Sequence, residues 1–466
     1  MAYTWTDAAV REALGLRLEL AVEGVTYQGV STDSRSVVPG ELYVALIGDR
    51  FDGHDFLADA LSKGAAGAVV SRPSVGDEDV RLYPVGDTLV ALGALAAYRR
   101  QRISAPVVAI TGSSGKTTTK DMTAAALASA RRVHATSGNR NNRIGMPMTL
   151  LATPSDAEAV VLELGTNEPG EIRALAQIAR PDLGVITTIG ESHLEKLGSV
   201  EGVLEEKLDL LRYLAVGGRC VVGDEPEVLS SRARALCSTV RVAGWSERAD
   251  ADLRPESADV DVFGRYEFHW KGVKVVAPMA GRHAVSNALI ALAIADLLGV
   301  PPRDAARGLA TTRTGSLRGE IRRIGDLTVI VDCYNANPQS VRASLDVLEQ
   351  QGAVAQRVAV LGTMLELGDA SDRLHRDVLR AALRRDVDLV VATGAFGAAA
   401  ADLDLADSTR VIAAPDWREA YPELRARLEG DEIVLLKASR GVALEGIVAL
   451  IEADFTGASG ERTAEA

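Results

Sequence analysis

Hydrophobic and polar positions along the chain fall into three successive rhythms. Residues 1–82 carry a strand-like LYVAL, a helix-like DFLADALSKGAAG and a second short apolar run, AVV, so a small α/β unit is predicted. Residues 83–310 alternate apolar runs (VVAIT, AVVLELG, LGVITTI, RCVVGD) with helical segments. That alternation predicts a mostly parallel sheet covered on both faces. Within it, RYEFHWKGVKVVAP alternates residue by residue like a hairpin, and NALIALAIADLLGV is apolar enough to be a core-facing helix. From 311 to 466 a third set of strands, LTVIVD, RVAVLGTM, VDLVVATG, TRVIAAP and EIVLLKAS, is spaced by helices such as LHRDVLRAALRRD. The expectation is a second, Rossmann-like doubly wound sheet. The closing TGASGERTAEA has no apolar period and is expected to fray.

At 466 residues, three domains are also what the length suggests. A net charge of −13 argues against a broad nucleic-acid surface, and no apolar run approaches the ~18 residues of a membrane span. The N-terminus lacks the succession of regions of a signal peptide, so a cytoplasmic enzyme is expected. Cys220, Cys237 and Cys333 show no Cys-x-x-Cys pairing and are expected to be buried thiols in a reducing compartment. Six scattered histidines make a dedicated zinc site unexpected.

The chemistry concentrates at predicted strand ends, where ligands sit in open parallel sheets. In VVAITGSSGKTTTKDM the apolar run Val107–Ile110 gives way to small residues and then to helical character from Lys116. Gly112, Ser113, Ser114 and Gly115 would let backbone N–H groups converge on an anion, Lys116 adds a positive charge, and Thr117 and Thr118 follow at the helix start. The Thr117 hydroxyl suits a metal on the phosphates. Ile110 stands where the general Walker pattern has glycine, so the loop is of a shorter TGxxGKT form. Glu163 closes a second strand, His193 follows a third, and Asp332 ends LTVIVD just before Tyr334-Asn335-Ala336-Asn337-Pro338. Beside the Lys116 loop, Glu163 and His193 would supply an oxygen and a nitrogen to a phosphate-bound metal.

Together, TGSSGKTTT, GNRNNRIGMPMTLL, ELGTNEPGEI, TTIGESHLEKLGS, GRHAVSNALIAL, VDCYNANPQS, GTMLELG and the N-terminal STDSR resemble the Mur ligases, over roughly residues 25 to 450. GNRNNRIG, ELGTNEPGEI and DCYNANP are similar to the branch that adds D-alanyl-D-alanine to UDP-N-acetylmuramoyl-tripeptide. The resemblance implies ATP and two magnesium sites, with Lys116 and Arg318 stabilising phosphoryl transfer and Thr117, Glu163 and His193 holding metal. It implies that Lys207, in VLEEKLDLL, is carboxylated to a carbamate that binds the second magnesium. From the residues alone Lys207 reads as a solvated helix lysine beside Glu205 and Glu206. By the same resemblance Asn287 and Asp332 face the nucleotide, and Ser31, Asp33 and Arg35 hold the uridine end. Thr136, Asn139, Asn141, Asn142, Asn167 and Glu171 would face the muramoyl peptide, and Asn335, Asn337 and His375 the incoming dipeptide.

The resulting expectation is a monomeric, three-domain ligase acting on two small molecules, with no nucleic acid and no membrane insertion. The first domain would take the UDP substrate, the second ATP and the third the dipeptide. A ligase adding a single amino acid, a folylpolyglutamate synthase and a non-ligating nucleotide-binding subunit remain as alternatives. Because nucleotide contacts come from two domains, the complete site requires the third domain to close on the second, and an uncomplexed chain can rest open.

Overall fold

The computed structural model describes residues 3–72, 81–313, 315–352, 356–405 and 408–456, and the terminal GASGERTAEA lies outside them. Among the described residues three larger sheets, of four, six and six strands, follow one another along the chain, with a two-stranded and a three-stranded sheet beside them. The first has four parallel strands, Val30–Ser31, Leu42–Val44, Gly67–Val70 and Arg81–Pro84, in that order. The last strand runs past position 82, so the first unit reaches slightly further than the apolar pattern suggested. Trp5, Tyr27, Leu92 and Leu95 join this unit to Leu162 and Leu175 of the next in one continuous apolar cluster.

The central sheet is six-stranded and entirely parallel, ordered Val240–Ala243, Arg219–Gly223, Leu183–Ile186, Val107–Thr111, Ala159–Glu163, Val133–Ala135. Both edge strands escaped the sequence reading. They are short and carry Arg241 and His134 among their apolar residues, which weakens the pattern. The predicted hairpin is a three-stranded antiparallel sheet, Ala258–Val260, Arg265–Trp270 and Val273–Ala280. Its tight turn is Lys271-Gly272, with both residues at positive φ (48° and 72°), as a two-residue hairpin with matched twist requires. The helix Arg282–Leu297 is buried on nearly every face, which explains why its sequence is apolar all round.

The third sheet is mixed. Glu320–Ile324 is antiparallel to Leu327–Asp332, and Ile433–Lys437, Arg357–Leu361, Leu389–Thr393 and Val411–Ala414 continue it in parallel. The doubly wound expectation holds except for this antiparallel edge, added by a turn at Gly325. The three cysteines are buried and free. Among the described residues no helix is long and apolar enough to cross a membrane.

Leu289, at the centre of the buried helix, is fully enclosed. Leu289→Ala is expected to cost ~2–5 kcal/mol and Leu289→Met less than ~1.5 kcal/mol. Denaturant unfolding followed by far-ultraviolet circular dichroism checks both.

Candidate active site

Parallel register places the ends of three central strands level with one another. Ile110 pairs with Glu163, and Thr111 with Ile186, so the phosphate loop, the Glu163 carboxylate and the loop leading to His193 emerge side by side. The phosphate loop is then stitched to the 187–192 loop. Ser113 N–H donates to Thr188 O (2.8 Å), Ser113 Oγ to Gly190 O (3.1 Å), and Gly190 N–H returns a bond to Ser113 Oγ (3.0 Å). Thr187 Oγ1 donates to Ser114 O at 2.5 Å.

Two glycines make this loop possible. Gly112 (φ +149°) presses against the Thr187 hydroxyl, and at Gly115 (φ +82°) a Cβ would lie 2.6 Å from Asn287 Oδ1. Gly115 also begins the helix Lys116–Ala128 without any side-chain cap, leaving the first helical N–H groups free for an anion. Lys116 Nζ donates to Gly112 O at 2.7 Å. Burial lowers its pKa, the Glu163 carboxylate opposes that shift, and Arg318 adds to it.

Around the loop lies a cavity of about 960 Å³, walled by the central and third domains together. It takes in Ser113 to Thr118, Asn139, Asn141, Asn142, Glu163, Asn167, Glu171, His193 and Asn287 from one side, and Arg318, Asp332, Asn335 and Asn337 from the other. Arg318 lies over the Tyr334 ring, 3.7 Å from its centroid, whereas Arg322 pairs with Glu320 at 2.9 Å along the edge strand. The domains meet here in a closed arrangement. Asn337 Nδ2 donates to Ser114 Oγ (3.1 Å), Gln339 Nε2 to Thr188 Oγ1 (2.9 Å), and His193 Nδ1 lies 2.6 Å from Glu366 Oε2. Glu366 is held below the ordinary carboxylate range, chiefly by His193.

Several predicted residues, some of them lining the cavity, hold its backbone in place, and others stand away from it. Thr136 Oγ1 accepts from the Glu163 N–H at 3.1 Å. Asn142 Oδ1 accepts from the Ile144 and Gly145 N–H groups (3.2 and 2.9 Å), and Asn337, besides reaching Ser114, caps Pro338–Glu349. Glu171 Oε2 accepts from the Asn167 N–H at 2.6 Å. Asn287 is no cap: it sits one turn inside its helix, against Gly115. His375 is fully buried, accepting from the Met364 N–H at 3.0 Å, and does not line the cavity. Ser31 ends a strand of the first sheet and Asp33 and Arg35 lie in the loop after it, all outside the cavity, with the Asp33 pKa lowered to about 2 by its Arg35 hydrogen bond.

Lys207 overturns the solvated-lysine reading. It is fully buried in the helix Val200–Arg212, its Nζ has no hydrogen-bond partner, and burial reinforced by Lys116 pushes its pKa well below the ordinary lysine value. The neighbouring Glu206 is engaged elsewhere, accepting from the Gly170 and Ile172 N–H groups at 2.7 and 2.8 Å. Glu163 Oε1 accepts from Asn141 Nδ2 (2.6 Å), and Oε2 is buried without a partner. Among the described residues no three His, Cys, Asp or Glu side chains form a metal cluster, so a metal here must draw on other donors.

Sequence reasoning passed over Lys437 and Glu366. Lys437 Nζ donates to Asp332 Oδ2 (2.7 Å) and Asn335 O (2.9 Å), because Asp332 and Lys437 are register partners at the ends of adjacent parallel strands. The GTMLELG segment contained Glu366, and its only signal was its place after a strand end.

A phosphate loop, a strand-end carboxylate and a histidine, faced by an arginine from the third domain, define an ATP-dependent ligase site of the Mur type. Residues 26–100 match the Mur ligase family catalytic domain, 110–295 the Mur ligase middle domain and 317–440 the Mur ligase glutamate ligase domain. The chain is 37% identical to the UDP-N-acetylmuramoyl-tripeptide--D-alanyl-D-alanine ligase of Bacillus subtilis, over 91% of its own length and 93% of that protein. A crystal structure of MurF from Acinetobacter baumannii superposes with a TM-score of 0.88 at 31% identity, covering 97% of this chain and 99% of the other. MurF of Thermotoga maritima in complex with ADP gives a TM-score of 0.80 at 27% identity, covering 92% and 98%. The chain belongs to the Mur ligase family, within the group of UDP-N-acetylmuramoyl-tripeptide--D-alanyl-D-alanine ligases.

The two loop glycines give a direct test of the anion cradle. Gly115→Ala must adopt a left-handed backbone and displace Asn287, so it is expected to weaken ADP binding at least about tenfold. Isothermal titration calorimetry measures it, with a circular dichroism spectrum to confirm folding.

Proposed function

We infer that this chain joins D-alanyl-D-alanine to UDP-N-acetylmuramoyl-tripeptide at the expense of ATP, giving the pentapeptide precursor of peptidoglycan with ADP and phosphate. The observation that carries the reading is the shared cavity, in which the phosphate loop and the Asn335-Ala336-Asn337 turn of the third domain face each other. The names of the relatives at this identity and coverage support the same substrates.

In this reading a carboxylate oxygen of the tripeptide attacks the γ-phosphorus, and the bond from that phosphorus to ADP breaks. The product is an acyl phosphate. The dipeptide amine then attacks the acyl carbon, loses a proton and expels phosphate, leaving an amide. Both partners in the first step are anions, so positive charge fixed in advance is the main requirement. Lys116 and Arg318 supply it from opposite walls, and the uncapped helix at Gly115 adds N–H donors. Asn287 lies against the loop at Gly115 and borders the same cavity.

Magnesium fits this site on one structural ground. The lone buried Glu163 Oε2 and the partnerless Lys207 Nζ are two polar atoms whose burial is otherwise uncompensated. Glu163, His193 and Thr117 would hold one ion with the phosphates, and Lys207 as a carbamate would complete a second. Such ions neutralise charge on the phosphate oxygens. Lys207 suits the modification because burial disfavours its charged form, and only the neutral amine adds to carbon dioxide. The first domain, with Ser31, Asp33 and Arg35, is assigned the uridine end, the remaining Asn residues the muramoyl peptide, and the third domain the dipeptide. His375 then acts at one remove, through the Met364 backbone. The three free cysteines and the use of ATP favour the cytoplasm.

Turnover is expected to require ATP, the tripeptide and the dipeptide together. Product mass and phosphate release decide it: AMP with pyrophosphate, or single D-alanine serving equally well, would refute the reading. Lys207→Arg and Lys207→Ala are expected to lose most activity yet bind ADP, and labelled bicarbonate should give a carbamate carbon signal in wild-type protein alone. Near-normal turnover by Lys207→Arg sinks the carbamate.

A further inference from the structure

Two residues in left-handed backbone meet across the boundary between the central and third domains. His193 (φ 52°) begins the short helix Leu194–Leu197, and Glu366 (φ 64°) follows the strand Arg357–Leu361. A non-glycine residue is uncommon in this region, and two facing each other need support from their surroundings. The support is mutual. Glu195 N–H donates to Glu366 O at 3.2 Å, and Gly368 is packed so closely that a Cβ there would lie 3.0 Å from the Glu195 Cα. Backbone from the third domain thus holds the turn that carries His193.

The side chains repeat the connection. His193 Nδ1 lies 2.6 Å from Glu366 Oε2, with the histidine only 12% exposed and the glutamate 52%. The ring N–H is not aligned on the carboxylate, and Nδ1 counts among the buried atoms without a hydrogen bond. Catalytic hydrogen bonds commonly stand misaligned in this way and tighten when substrates bind. Both side chains border the phosphate-loop cavity.

We propose that Glu366 is a positioning residue for the ligation reaction. It accepts from His193 Nδ1–H, fixes that tautomer and leaves the Nε2 lone pair for a divalent cation. Carboxylates behind metal-binding histidines act in this way, and losing one typically lowers metal affinity or activity about ten- to a hundredfold. Because Glu366 belongs to the third domain, the histidine is oriented only when that domain is closed. Closure would therefore complete a ligand as well as enclose substrates, and would keep the cation from organising ATP for hydrolysis before the dipeptide-binding domain has arrived.

The inference rests on His193 as a metal ligand, and the experiment separates the two. Wild type, Glu366→Ala, Glu366→Gln and His193→Ala are compared by steady-state kinetics across magnesium concentration. Histidine nitrogen NMR with ADP and tripeptide present supplies a second readout. For Glu366→Ala, the magnesium needed for half-maximal rate should rise about tenfold or more, with KM for the tripeptide little changed. The Nδ1–H signal assigned through His193→Ala should also be lost. Glu366→Gln keeps an accepting oxygen and should recover part of both. If either readout in Glu366→Ala stays at the wild-type value while the protein remains folded by circular dichroism, Glu366 is only an interdomain brace and the proposal is overturned. If His193→Ala itself leaves the magnesium requirement unchanged, the ligand assignment falls first and takes this inference with it.

Discussion

The level endings of three parallel strands are the constraint on which the site depends. Val107–Thr111, Ala159–Glu163 and Leu183–Ile186 pair so that the loops after them leave the sheet at one height. Parallel pairing fixes that height through an uninterrupted ladder, and a slip of one residue would turn Glu163 away from the phosphate loop. Everything later in the site inherits this geometry. The loop glycines can lie against Thr187 and Asn287 only because those elements are already in place.

The second constraint is buried charge. Lys116, Lys207 and Glu163 are gathered where the protein withdraws them from water, and the two ammonium groups act against each other. A buried ammonium without a partner is among the more expensive arrangements in a folded protein, and it deprotonates rather than stay charged. Burial accordingly works against the charged form of Lys207, and Lys207 Nζ and Glu163 Oε2 are both buried without a hydrogen-bond partner. The arrangement is a poor one for stability and a suitable one for assembling a cation site with a substrate's phosphates.

Closure joins these two features. Asn337 reaches Ser114, Gln339 reaches Thr188 and Glu366 reaches His193, so the third domain touches the phosphate loop, its supporting loop and the histidine turn separately. Each contact is polar and small, as is common at interfaces between domains of one chain. Asp332 is meanwhile anchored within its own domain by Lys437 and Ser344.

Much of the fold was legible in the sequence because apolar runs, glycines and strand-end polar residues are local signals. The phosphate loop, Glu163, His193 and Asp332 were each visible at the end of an apolar run, and the parallel topology followed from the alternation of strands and helices. The edge strands Val133–Ala135 and Val240–Ala243 were not legible, since a short strand with polar residues resembles a loop. Burial of Lys207 was equally hidden: its helix is amphipathic with acidic neighbours, and only packing against the sheet decides which face is enclosed. The pairings of Lys437 with Asp332 and of Glu366 with His193 join residues 105 and 173 positions apart, and no local pattern encodes such a distance. The sequence by itself determined which chemical groups stand at strand ends, because that depends on near neighbours in the chain. Only the tertiary structure decided which of those groups meet, because strand order, register and domain closure set the distances.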